Sequence, residues 1–108
     1  MNHPIDELFG TLVERGGSDL HLLEGQPPKI RRHGEVMPIR DEPLTHEEMV
    51  RLLQPICSPP AWKKFLETGD LDFAYEMDEA NRFRCNFYKQ LHGLGADLLV
   101  FSMPMETI

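Results

Sequence analysis

Positive charge is scarce in this chain: 11 Lys and Arg stand against 18 Asp and Glu, a formal net charge of −7 over 108 residues. Nucleic acids are bound through a concentrated excess of cations that release counterions, so this balance argues against a nucleic-acid role. Cysteine is scarcer still. Cys57 and Cys85 stand far apart without a CxxC spacing, which points away from a zinc site and from a secreted disulfide framework. Apolar runs are short, far from the roughly 20 residues that cross a bilayer, and no apolar signal segment opens the sequence. The expected compartment is the cytoplasm, with any membrane association made through a partner.

The sequence also lacks a phosphate-cradling loop. Such a loop needs G-x-x-x-x-G-K-[ST], so that backbone amides and a Lys ammonium converge on the phosphates, yet none of Lys29, Lys63, Lys64 or Lys89 follows Gly or precedes Ser or Thr. Hydrolysis by this stretch alone is therefore not expected, and no catalytic residue is assigned within it. The five histidines never pair at helical spacing and none lies in H-E-x-x-H. The acidic residues Asp70, Asp72, Glu76, Asp78 and Glu79 lack the order of a calcium loop, so no metal site is predicted.

What remains is one ordinary α+β domain, with 41% hydrophobic and 27% charged residues. Asn2 can cap a helix from near Pro4, in which Ile5, Leu8, Phe9, Leu12 and Val13 form one apolar stripe ending at Gly16-Gly17. Ser18 to Leu23 alternates as a half-buried strand, and Gln26-Pro27-Pro28 breaks it. Lys29–Arg32 and Glu35–Ile39 read as a hairpin about His33-Gly34, its Pro38 marking an edge and its basic residues a solvated one.

Thr45 to Glu48 has the form of a capping box before a helix that Pro55 kinks or ends. Ser58-Pro59-Pro60 starts another, with Trp62, Phe65 and Leu66 on its buried face and Gly69 as its stop. Strands from Asp70 to Met77 and from Arg82 to Tyr88 form a second hairpin. His92 to Gly95 reads as a loop, and Asp97 to Ser102 as a last strand. This order implies an antiparallel sheet with helices packed on one face.

Two arginines have alternative readings. Arg82 and Arg84 share one face of their strand, where two guanidinium forks can present to phosphate or carboxylate together, or pair across the sheet with Asp70, Asp72 or Glu76. His21, on the polar face of its strand, is either a hydrogen-bonding surface residue or a contact with a neighbour.

Four motifs in order resemble the N-terminal domain of PilT-like secretion ATPases: Ser18-Asp19-Leu20-His21-Leu22; Gly25, Pro27, Pro28, Arg31, Gly34 and Val36; Phe65 to Tyr75; and Arg82-Phe83-Arg84-Cys85-Asn86. The resemblance implies a PAS-like fold and a hexameric motor for type IV pilus retraction (twitching motility) or related secretion. In that setting the domain docks on the RecA-like ATPase domain of the neighbouring subunit, and ATP and Mg belong to the full-length parent. The arginine matched by Arg84 is expected to reach the nucleotide phosphates in trans, with Arg82 as a second candidate.

A pilus inner-membrane platform protein is the further partner implied. The family's second arginine, on the last strand, is missing from Leu98 to Met103. The stretch 1–108 is thus expected to be a single N-terminal domain of a longer motor whose ATPase domain lies outside it. The alternative is a free-standing PAS-like module that binds a small ligand beside Trp62, Phe73 and Phe87, or an adaptor.

Overall fold

A computed structural model describes residues 3–101 of the chain. Three α-helices, α1 (Ile5–Glu14), α2 (His46–Leu53) and α3 (Pro59–Thr68), accompany six strands. The strands are β1 (Asp19–Leu23), β2 (Lys29–Arg32), β3 (Glu35–Pro38), β4 (Asp70–Glu76), β5 (Arg82–Gln90) and β6 (Gly93–Val100). They form one sheet in the order β3-β2-β1-β6-β5-β4, every neighbouring pair antiparallel. The last strand thus returns to the middle and joins the two three-stranded halves.

Local chemistry sets most boundaries. His33 and Gly34 both have positive φ, 52° and 80°, as a two-residue hairpin turn that follows the sheet twist requires. The Ser58 hydroxyl accepts from the Ala61 amide at 3.2 Å to start α3, and Gly69 stops it in a left-handed conformation at φ 82°. Pro55 converts the end of α2 into a 3-10 turn over Gln54–Ile56.

All three helices pack on one face of the sheet. Strand alternation sends Leu20, Leu22, Ile30, Phe83, Cys85, Phe87, Ala96 and Leu98 to that face, where each is buried against Ile5, Phe9, Leu12, Met49, Leu53 and Phe65. Phe9 stacks on Phe83 with centroids 3.8 Å apart, and Phe65, Phe73 and Trp62 set their rings edge-on or tilted to Phe87 at 5.1 to 6.4 Å. The space beside Trp62, Phe73 and Phe87 is filled by these rings. A small ligand there would have to displace them.

Several expectations are corrected. His92 to Gly95 is not a loop, because β5 runs to Gln90 and β6 starts at Gly93, leaving a two-residue turn. The glycines serve close approach: a Cβ on Gly95 would lie 2.4 Å from the Tyr88 ring, and one on Gly93 would lie 2.4 Å from the Glu24 carboxylate. The last strand therefore covers Gly93–Val100 instead of beginning at Asp97, and Ser102 lies outside the described residues.

Leu66, expected on the buried face of α3, is 44% exposed, and Val13, in the apolar stripe of α1, is 41% exposed, each at the margin of its helix's apolar face. The capping box is half made. Thr45 accepts from the Glu48 amide, but the Glu48 carboxylate takes two hydrogen bonds from Arg40, at 2.8 and 2.6 Å, a stronger charge-assisted partner than a backbone amide. Asn2, the expected first cap, lies outside the described residues. The Asp6 carboxylate instead accepts from the His3 amide ahead of α1 at 3.0 Å.

Candidate functional site

Among the described residues no helix covers the second face of the sheet, and the strand registers assemble its surface in rows. One row runs Ala74, Arg84, Leu99, Asp19, Arg31, Val36 across all six strands; the next runs Asp72, Asn86, Asp97, His21, Lys29, Pro38. Arg82 belongs to the same face, and Phe101 donates its amide to the Arg82 carbonyl at 2.8 Å. The charge on this face nearly cancels. Asp19, Asp70, Asp72, Glu76 and Asp97 meet Lys29, Arg31, Arg82 and Arg84, a balance of −1, so the remaining −6 of the chain's −7 lies elsewhere. Val36, Leu99 and Phe101 add half-exposed apolar surface. The face is thus near-neutral and partly apolar on an otherwise acidic molecule.

Arg84 and Arg82 project from β5 onto this face because Phe83, Cys85 and Phe87 take the opposite side into the core. Both expected pairings across the sheet are present. Arg84 Nη2 lies 3.5 Å from Asp72 Oδ2, and Arg82 Nη2 lies 3.6 Å from Glu76 Oε2. Asp72, Glu76 and Arg84 are more than half exposed, and a pair such as Arg84–Asp72 contributes only about 0–1 kcal/mol, so a phosphate or carboxylate group can replace Asp72 at little cost; Arg82 is less exposed, its Nε buried. A groove of about 200 Å³ bordered by Asp72, Phe73, Ala74, Arg84 and Phe101 gives access to the Arg84 guanidinium.

The β2–β3 hairpin forms one edge of the sheet, with β3 outermost and Arg32 exposed. Arg31 reaches inward to Asp19, Nε to Oδ1 at 3.5 Å, and Lys29 donates to Gln26 at 2.7 Å. His21 sits between two carboxylates. Its Nδ1 is 2.8 Å from Asp97 Oδ1, and its Nε2 contacts Asp19 Oδ2. Sequence alternation puts Asp19 and His21 on one face, but Asp97 lies 76 residues on, and only the β1–β6 pairing brings it there.

Other polar contacts are architectural. The Glu24 carboxylate accepts from the Leu94 amide at 3.0 Å and from His46 Nδ1 at 3.0 Å, tying the β5–β6 turn to the start of α2. The backbone bond from Leu94, with His46, holds its pKa below the ordinary carboxylate value despite the opposing effect of burial. Among the described residues no cluster of His, Cys, Asp and Glu could hold a metal ion. No helix among them is long and apolar enough to cross a membrane.

No protein-family model matches the sequence. The chain is 39% identical over 92 residues to the type IV pilus retractation ATPase PilT of Pseudomonas aeruginosa, a match covering 85% of this chain and 27% of that protein. It is 30% identical over 103 residues to the type IV pilus ATPase PilU of the same organism, covering 95% of this chain and 27% of that protein. The crystal structure of the pilus retraction motor PilT with bound ADP superposes with a TM-score of 0.81 at 31% identity, over 100% of this chain and 31% of the motor. The fold also matches the Legionella pneumophila ATPase DotB, with a TM-score of 0.74 at 21% identity over 95% of this chain and 30% of that one. The chain thus spans under a third of the length of these relatives.

Proposed function

This chain is the small N-terminal domain of a PilT-type secretion ATPase, and from that premise we propose that its open sheet face docks on the RecA-like ATPase domain of a neighbouring subunit in a homo-hexamer. Arg84, with Arg82 beside it, then reaches the phosphates of a nucleotide bound there. The observation that carries this reading is the placement of both arginines on the uncovered, near-neutral face, each beside an exposed acid on β4. A planar guanidinium is suited to that role because it presents several donors in a fixed fork to phosphate oxygens.

The ATPase domain lies outside residues 1–108 in this reading, and ATP and Mg are bound by the full-length parent. Nucleotide binding pulls the domain across as a rigid body, and the deformation of the ring drives pilin extraction or related secretion. The parent works in the cytoplasm and meets the inner membrane through a platform protein. The stretch Leu98–Phe101, at and just past the end of β6, holds no arginine, and Leu99 is the residue opposite Arg84, so Arg82 is the available second cation.

The free-standing ligand-binding alternative has no support in the core, whose aromatic rings fill the space it needs. Arg84→Ala in the parent motor is expected to lower ATP turnover with the domain still folded. Turnover unchanged from wild type counts against the phosphate role.

A further inference from the structure

Away from Arg84, the β1–β2 end of the open face holds a groove of about 220 Å³ bordered by Pro27, Lys29, Arg31, Val36 and Tyr88. Its formal charge is of one sign. Lys29 and Arg31 border it and, among the described residues, no Asp or Glu does, on a chain whose net charge is −7. The acids nearby are directed to other partners. Asp19, its side chain only 11% exposed, accepts from the Ser18 hydroxyl at 2.6 Å, and Asp97 lies 2.8 Å from His21 Nδ1.

The donors of this groove are fixed without being used up. Arg31 Nε is anchored 3.5 Å from Asp19 Oδ1 and its Nη2 lies 3.3 Å from His21 Nε2, whereas Nη1 has no hydrogen-bond partner among the described residues. The Lys29 ammonium gives one of its three hydrogens to Gln26 at 2.7 Å. Tyr88 lies against the bare backbone of Gly95 on β6, where a Cβ would come 2.4 Å from the ring, and its hydroxyl also has no partner among the described residues. Neither cation has to move to meet an anion.

Size and lining decide the kind of occupant. Pockets for small-molecule ligands run to roughly 300–1,000 Å³, so this groove fits one side chain and not a nucleotide or other cofactor. Val36, 48% exposed, and Pro27 give it an apolar wall, which suits the methylenes of a glutamate better than a phosphate. Tyr and Arg are the residue types that most often carry the energy of a protein interface.

We propose that the groove is the anchor pocket of the open face and takes a glutamate side chain from the neighbouring subunit's ATPase domain. Its carboxylate pairs with Arg31 Nη1 and Lys29 Nζ, and its methylenes lie against Val36 and Pro27. Lys29, Arg31 and Tyr88 are then specificity determinants of subunit docking, at the far end of the face from Arg84. The choice of partner rests on the docking reading above.

The test is made in the parent motor. Lys29→Glu should raise the protomer concentration needed for half-assembly, read by sedimentation, about tenfold or more, and Tyr88→Phe, which keeps the ring, should raise it less. Amide spectra of the 108-residue chain confirm that each variant is folded. A photoreactive Val36→p-benzoylphenylalanine variant should cross-link to a glutamate-bearing peptide of the neighbour's ATPase domain, and reversing that glutamate to lysine should restore assembly of Lys29→Glu. Wild-type assembly by Lys29→Glu, or a cross-linked segment without a glutamate, overturns the anchor pocket. If assembly protects a cysteine at position 99 while Lys29→Glu is without effect, only this inference falls. If position 99 is unprotected and position 36 forms no cross-link between subunits, the docking reading falls with it.

Discussion

On the helix-covered face of the sheet Leu20, Leu22, Phe83, Phe87 and Leu98 are closed to solvent, whereas on the opposite face Leu99 and Val36 remain 47% and 48% exposed among charged neighbours. One backbone supplies both faces, and successive side chains of the same strand go to opposite fates. The covered face carries stability through area and shape. At the β4–β5 end of the open face the Arg84–Asp72 pair is too exposed to contribute much to folding, so its value lies in what it can exchange partners with. Removing core volume should therefore unfold the domain without touching chemistry, and removing Arg84 should do the reverse.

The largest expected effect comes from the covered face. Phe87→Ala, which empties the ring between Phe65, Phe73 and Trp62, should cost about 3–5 kcal/mol in denaturant unfolding. Survival within about 1 kcal/mol of wild type would mean that the aromatic cluster is not the core. A smaller effect is expected at the face margins on acidification. Arg40 holds the Glu48 carboxyl below its ordinary value of 4.5, so the folded state gains stability above that value and loses it as pH falls through the lower folded one. Unfolding curves of Glu48→Gln should thus show a shallower loss of stability below about pH 4.5 than wild type.

On the open face Arg84→Ala should change stability by no more than about 1 kcal/mol in the same denaturant assay. A larger loss would move Arg84 from the functional to the structural side of the comparison. The mildest probe leaves the sequence intact. Cys85 is buried on the covered face, and burial, with the Asp72 charge, pushes its thiol up to about 12, whereas Cys57 is partly accessible. Under native conditions a maleimide should label Cys57 first and Cys85 only on unfolding.

How legible these faces were depended on sequence distance. Alternation in β1, β4 and β5 identified Leu20, Leu22, Phe83, Cys85 and Phe87 as inward and Arg82 and Arg84 as outward, because a period of two is local. The turn at His33-Gly34 and the ends of α3 were equally local. The start of β6 was obscured because Gly93 and Gly95, which usually mark a loop, serve here to admit the Glu24 carboxylate and the Tyr88 ring. The quartet of Asp19, His21, Arg31 and Asp97 depends on a strand pairing across most of the chain, and nothing within a short window announces it.

The central claim, that the open face and not the helix face docks in the motor, is tested most directly by two matched cysteines. Leu99→Cys and Leu66→Cys, at positions 47% and 44% exposed in this chain, would each be placed in a Cys57→Ser background and alkylated in the isolated chain and in the assembled parent motor. The account predicts that assembly protects position 99 and leaves position 66 as reactive as before. Protection at 66 with none at 99 would contradict it, as would equal reactivity at both.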